Sequence, residues 1–289
     1  MHLPSVRPSL LGVDFTCAPG RRKPIVAAHG TRAGDVLRLQ SLQEITTLAG
    51  FEALLAAPGP WLGAFDFPFG LPRVFVDALA LGGDARAVIG ELHRRCPTRM
   101  ALRALIDAWG NARPPGQRLP HRATDTALPG VSSTSPLQTR YVPVGFMYYE
   151  GFARLVAAGV DVPGLCAGDA ARVALEAYPG WLAHALIGRR SYKNRDGADT
   201  LIARKDLVDV LEQGRSPLGL RLKLTHAQRD ALTADALGDR LDAVLCLVQA
   251  AWASRQPGYG LPAEVDPVEG WIVGAQTARA ATPEVAWTS

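Results

Sequence analysis

Apolar residues come in short bursts along the first quarter of the chain and at helical spacing along much of the rest. Residues 10–16 hold Leu10, Leu11, Val13 and Phe15 in a run too short for a helix, with Ala18, Pro19 and Gly20 behind it, so they predict a buried strand. Residues 24–28 and 36–42 read as two more strands divided by Gly30 and Gly34, and the three together predict an antiparallel meander. From 44 to 57, Ile45, Leu48, Phe51, Leu54 and Leu55 recur at helical spacing and stop at Pro58-Gly59-Pro60, which predicts a helix. A fourth strand, 61–65, runs into Asp66, where Pro68 and Pro72 forbid its continuation. Helical spacing then extends to about Trp109, vanishes from 111 to 145, and returns at 146–158. A fifth strand is expected at 172–177, broken at Pro179-Gly180, followed by a basic loop at 188–197. Three late helices are expected at 199–213, from Thr225 to about 237, and at 239–252. No repeat or linker divides the pattern. The expectation is one α/β domain over 1–289 with a long insertion around 111–145, a length of loop that usually carries function.

Composition narrows the class. The 289 residues are 48% hydrophobic and 20% charged, ordinary for a globular chain large enough to bury its own core. No run of about 18 apolar residues suggests a membrane span, and the N-terminus lacks the order of a signal peptide. Cys17, Cys96, Cys166 and Cys246 are far apart with no CxxC pair, which argues against zinc and a disulfide framework and points to a reducing cytoplasm. The net charge of +4 permits an anionic partner without requiring one.

Several acids interrupt apolar runs. Asp14 follows Leu11-Gly12-Val13, Asp66 follows Leu62-Gly63-Ala64-Phe65, and Glu176 follows Val173-Ala174-Leu175. A carboxylate ending an apolar strand is costly to bury unless paired, protonated or bound to metal. Asp239 and Asp242 stand three apart and share a helix face, with Leu241, Val244, Leu245 and Val248 on the apolar side. Asp239 also suits the positive end of a helix dipole. Asp242 lies deeper and is the better ligand candidate. Oxygen donors of this kind suit Mg²⁺ or Mn²⁺.

Gly12-Val13-Asp14-Phe15-Thr16, Phe65-Asp66-Phe67-Pro68-Phe69-Gly70-Leu71-Pro72, Glu176-Ala177-Tyr178-Pro179 and Asp239-Arg240-Leu241-Asp242-Ala243 occur in that order. Together with Glu269-Gly270-Trp271-Ile272 they resemble the motifs of the domain of unknown function 429 family, described as predicted nucleases with a ribonuclease H-like fold. The resemblance implies a mixed sheet whose first three strands are antiparallel, with helices on both faces. It implies Asp14 as the central metal ligand, Asp66 and Glu176 as the second and third, and Asp242 as the helical one; Asp239, three residues before Asp242, is a further candidate ligand.

A phosphodiester substrate also needs cations. Arg189, Arg190, Tyr192, Lys193 and Arg195 cluster in one loop, and Arg204 and Lys205 follow. They either hold phosphates or form a solvated surface. The long loop adds Arg122, Asp125, Ser132, Ser133, Thr134, Ser135, Gln138 and Arg140, a set suited to a phosphate backbone and equally to a plain connector. Thr16, Arg122, Arg140, Arg190 and Lys193 are the candidate substrate contacts. The histidines show no metal spacing, and Gly82-Gly83 alone is a weak phosphate-turn signal. Three readings follow: a two-metal nuclease acting on DNA or RNA, a phosphotransferase of the actin-like ATPase type suggested by Asp14-Phe15-Thr16, and a catalytically silent nucleic-acid-binding protein.

Overall fold

A computed structural model describes residues 8–128, 130–194 and 197–275. Strand β1 (Ser9–Asp14) is buried from Leu10 onward. It pairs antiparallel with β2 (Ile25–Ala33) on one edge and parallel with β4 (Trp61–Asp66) on the other. A strand with neighbours on both edges and cores on both faces is apolar at successive positions, hence the unbroken Leu-Leu-Gly-Val run. β3 (Val36–Ile45) continues antiparallel from β2, so the meander of the first three strands is present. β6 (Asp169–Glu176) joins β4 in parallel. The short β5 (Val160–Asp161) and β7 (Arg221–Lys223) are the outer strands, each parallel to its neighbour. The sheet has seven strands in the order β5-β6-β4-β1-β2-β3-β7.

Helices cover both faces. On one, α1 (Leu48–Leu55), α2 (Arg73–Ala78), α3 (Ala85–Arg95), α4 (Arg99–Asn111) and α5 (Val144–Ala158) pack Phe51, Phe75, Leu92, Ile106 and Phe152 into a core with Leu11, Val13, Ile25 and Phe65. On the other, α6 (Pro179–Ile187), α7 (Ala198–Glu212), α8 (His226–Ala234) and α9 (Asp239–Ala253) pack Leu182, Leu207, Leu232 and Leu245 against Leu10, Val26, Leu62 and Val173. The alternation of side chains along a strand therefore decides which face each residue serves.

Helix α9 is buried at every position except Arg240. It lies so close to β1 that a Cβ on Gly12 would stand 2.1 Å from the Leu247 nitrogen and 2.2 Å from the Ala243 oxygen. Gly12 is there because nothing larger than hydrogen fits between strand and helix.

Several expected boundaries move. Residues 44 and 45 belong to β3, because Ile45 pairs with Ile25 and Glu44 with Val26 across the ladder; α1 starts only after Thr47, whose side chain caps it through Gly50 N. Pro179-Gly180 does not end structure but opens α6, since proline's missing N–H costs nothing in a first helical turn. Strands β5 and β7 have only two and three residues, too few to show a period. Between α4 and α5 the described residues hold one short 3-10 turn, Thr124–Thr126, yet Arg122, Thr124, Asp125, Ser133, Ser135 and Thr139 are buried there.

Replacing Gly12 with alanine should force α9 off β1. Overpacking of this kind costs about 1–3 kcal/mol and more where backbone has to move, so a loss at or above the top of that range is expected in urea unfolding. Gly83→Ala, where a Cβ meets nothing within 4 Å, should stay within about 0.5 kcal/mol of wild type.

Candidate metal centre

Asp14 and Asp66 are the last residues of two adjacent parallel strands and are paired in register. Neighbouring strands lie about 4.8 Å apart, so register alone sets the two carboxylates side by side. Both share the strand face of Leu10 and Leu62, the face that α9 covers. Asp242 lies in the first turn of α9, and the close contact at Gly12 brings it down onto them. One ligand oxygen from each of Asp14, Asp66 and Asp242 lies within 4.8 Å of the others. Asp14 is 7% exposed and Asp242 1%, while Asp66 is half-buried.

Gathering acids in so dry a place raises their affinity for protons. Burial, then the charges of Asp242 and Asp66, push the Asp14 carboxyl well above the usual carboxylate range. Burial and Asp242 push Asp66 up to about 7, against the pull of Lys193. Asp242 accepts hydrogen bonds from the Tyr192 hydroxyl and the Lys193 ammonium. Burial and the Asp242 charge drive the Tyr192 phenol upward, so it stays a donor. Burial works against the Lys193 ammonium, but Asp242 and Asp66 outweigh it and hold its pKa above the ordinary value. Lys193 is thus the counter-charge of the cluster. Asp239, one turn before Asp242, is buried too, and one of its carboxylate oxygens has no hydrogen-bond partner among the described residues. Its carboxyl is raised by burial and held back by Lys23.

Glu176 is not brought into this group. It is in register with Phe65 and shares the strand face of Ala174, opposite to the face of Asp14 and Asp66. Its carboxylate accepts from Phe69 N at 2.9 Å and from both terminal nitrogens of Arg122 at 2.8 and 2.6 Å. The strand-end position was legible in sequence; the facing was not. Arg122, expected to touch substrate, faces inward instead and is 2% exposed. Its five N–H donors meet Asp125 twice, Glu176 twice and the Glu269 carbonyl once, leaving none for a phosphate. Arg140 pairs with Asp107, and Arg190 with Asp206 and the Ile187 carbonyl. Each lines a cavity away from the carboxylates. Thr16 lies just past β1 and is half-buried. Arg195 lies outside the described residues. Arg204 is buried and donates to the Thr233 and Tyr192 carbonyls, fixing the loop that carries Lys193.

A cavity of about 270 Å³ opens beside Asp66, Lys193 and Tyr178, with Phe67, Val142, Val144 and Met147 as apolar wall and Ser133 and Thr134 at its polar side. The 111–145 and 188–197 loops therefore both border the carboxylate site. Two residues have no site role in the sequence reading. Tyr192 enters it only as a member of the basic loop, beside Lys193. Lys23 lies in the hairpin after β1, and any hairpin there must return past the strand end that carries Asp14.

A family model described as "Protein of unknown function (DUF429)" matches residues 12–266. No curated protein and no solved structure matches the chain.

Two expectations follow from these contacts. Arg122→Ala strands Asp125 and Glu176 as unpaired buried acids, and loss of one partner of such a network costs about 3–5 kcal/mol, readable in urea unfolding. Asp66 has a folded pKa raised from 3.8 to about 7, so the folded state holds its proton more tightly than the unfolded chain. Its stabilising contribution is present below about pH 4 and is lost as pH rises through about 7. In chelator, Asp66→Asn should therefore gain on wild type steadily between those limits; a stability difference that does not vary with pH would contradict the crowding of the acids.

Proposed function

The chain belongs to the DUF429 family of proteins of unknown function, and we propose that this member is a metal-dependent nuclease that hydrolyses phosphodiester bonds. The observation that carries the reading is the convergence of Asp14, Asp66 and Asp242 on one point. Nothing in the fold requires three acids there, and their mutual repulsion opposes it. The donors fit the ion: carboxylate oxygens are hard ligands, suited to Mg²⁺ or Mn²⁺ rather than to zinc or copper. Asp14, Asp66 and Asp242 would hold it, and Asp239, with a buried carboxylate oxygen that has no hydrogen-bond partner among the described residues, would be a further ligand. Bound divalent ions at such a site lower the pKa of a water and offset charge on the leaving oxygen.

The protein's own groups account for the remaining needs. Lys193 stands between the carboxylates and the cavity beside Asp66, where its charge can meet a phosphate. Tyr192 and Lys193 each hold one oxygen of Asp242 and so fix the orientation of its carboxylate. The Arg122 network holds the 111–145 loop and the end of β6 as one wall of the cavity. The mixed sheet, with an acid at the end of its first strand and another on a late helix, supports the ribonuclease H-like comparison. A phosphotransferase of the actin-like type is less well supported, because Gly12, the only glycine near Asp14 on β1, is covered by α9 and offers no phosphate cradle. Four buried, free cysteines suit the reducing cytoplasm, and no helix among the described residues is long and apolar enough to cross a membrane.

Asp14→Asn tests the reading directly. The variant keeps the shape and loses the charge, so it should be at least as stable as wild type in chelator. Wild type should gain stability in millimolar Mn²⁺, by about 2.7 kcal/mol at a hundredfold excess over the dissociation constant, and the variant should gain much less. Cleavage of a mixed DNA or RNA substrate should need Mg²⁺ or Mn²⁺ and fall by orders of magnitude in the variant. An equal metal-induced rise in both proteins would remove Asp14 from the site, and metal binding without any cleavage would leave a silent binding protein.

A further inference from the structure

Arg21, Arg22 and Lys23 sit together in the hairpin between β1 and β2, and all three are exposed. Among the described residues none of them forms a salt bridge, whereas Arg140, Arg190 and Arg240 are each paired with an acid. The hairpin lies at the carboxylate end of β1. Arg21 and Arg22 line a second cavity, about 220 Å³, together with Asp239, and the charge of Lys23 reaches both Asp66 and Asp239. The carboxylates therefore stand between two different surroundings. On the Asp66 side is the small cavity walled by Phe67, Tyr178, Val144 and Met147, with the paired Arg122 and Glu176 and Lys193 also in its lining. On the Asp239 side is the exposed basic hairpin, across a cavity whose lining also holds Glu44, Asp235 and Arg240.

We propose, resting on the nuclease reading, that the substrate is a single-stranded polynucleotide, with one unpaired nucleotide seated in the cavity beside Asp66 and the adjoining phosphates lying along Arg21, Arg22 and Lys23. The two ends of the site ask for different chemistry, and a single strand supplies both. Its bases are free to leave the stack and enter an apolar or aromatic recess, while its backbone follows a line of cations. The cavity of about 270 Å³ is smaller than the ~300–1,000 Å³ of most small-molecule pockets. It has room for one ring system and its sugar, not for a base pair. A duplex would have to extrude a nucleotide to reach the same acids. Val142, 55% exposed, stands at the mouth, where an unpaired base would cover it. Lys193 lies where the nucleotide in the cavity joins the phosphate at the carboxylates.

The test is equilibrium binding of a short fluorescently labelled oligonucleotide of mixed sequence, as single-stranded DNA, single-stranded RNA and blunt DNA duplex. It is run in chelator, where no metal-dependent cleavage intervenes, over a salt series. At least one single strand should bind tenfold or more tightly than the duplex. The variant with Arg21→Ala, Arg22→Ala and Lys23→Ala should lose at least tenfold in affinity. Its log–log salt slope should fall by about 2, the sum expected for three phosphate contacts on a single strand. Thr134→Trp, a change at an exposed residue of the cavity rim, should weaken single-strand binding and leave the salt slope unchanged. Duplex binding as tight as single-strand binding, or a triple variant that binds like wild type, overturns the proposal. The expected binding pattern with no cleavage on adding Mn²⁺ would sink hydrolysis and leave the strand path standing.

Discussion

Helix α9 can reach β1 only because residue 12 has no side chain. With the helix backbone in van der Waals contact with the strand at Gly12, Asp242 in its first turn arrives beside Asp14 and Asp66. Move the helix out by the thickness of one methyl group and the carboxylates separate, while most of the apolar burial survives. The contact also explains why α9 is apolar almost all round: one side meets β1, β2 and β4 and the other is wrapped by α6 and the chain after 260. A helix that central is a stiff platform, and a site built on stiff elements is held more closely than one built on loops.

Around that platform the charges form two systems that meet at one cavity, with Asp14 and Asp66 on one strand face and Glu176 on the other. Asp14, Asp66 and Asp242 are under-compensated: one ammonium, Lys193, and one phenol, Tyr192, serve three acids, and Asp239 lies close by. Low dielectric magnifies the imbalance: burial first, then the neighbouring carboxylates, raise the affinity of Asp14 and Asp66 for protons. On the other side, Arg122 gives two of its five donors to Glu176, two to Asp125 and the fifth to the Glu269 carbonyl, and Ser133 adds a bond to Asp125 at 2.6 Å. A saturated buried network of this sort gives little net stability but is costly to break, and it ties the 111–145 segment to the strand end. Glu269 continues the tie, accepting from Arg73 N and Ala123 N. The contrast between a closed network and an open cluster separates structural acids from candidate ligands more sharply than burial does, since Asp14 and Asp242 are as buried as Asp125 and Glu176.

Much of this could be read from the chain itself. The run Leu10 to Asp14 and the run Trp61 to Asp66 each end an apolar strand on an acid, so both the strands and their chemically active ends were legible. The two-period and 3.6-period patterns fixed the meander, α5, α7 and α9 within a few residues, because long elements carry enough repeats to show their period. Four elements carried too little signal: β5 and β7 are too short, α6 begins with residues that usually break helices, and the end of β3 is the same Glu44-Ile45 that also fits a helix. In that last case the ladder with β2 outweighed the local preference.

What sequence determined, then, was local: which residues form strands and helices, which acids stand at their ends, and that position 12 is glycine. Tertiary structure decided everything that depends on facing. Strand register placed Asp66 beside Asp14 and turned Glu176 to the other side of the sheet, since neighbouring positions on a strand point in opposite directions. Long-range packing gave Arg122 to Glu176 and Asp125, left Lys193 for Asp242, and folded the Arg21 to Lys23 hairpin back to the carboxylates. A charge in a sequence has a type but no neighbours. Its neighbours come from parts of the chain tens or hundreds of residues away, and only the folded arrangement fixes whether they neutralise it or leave it open to a ligand.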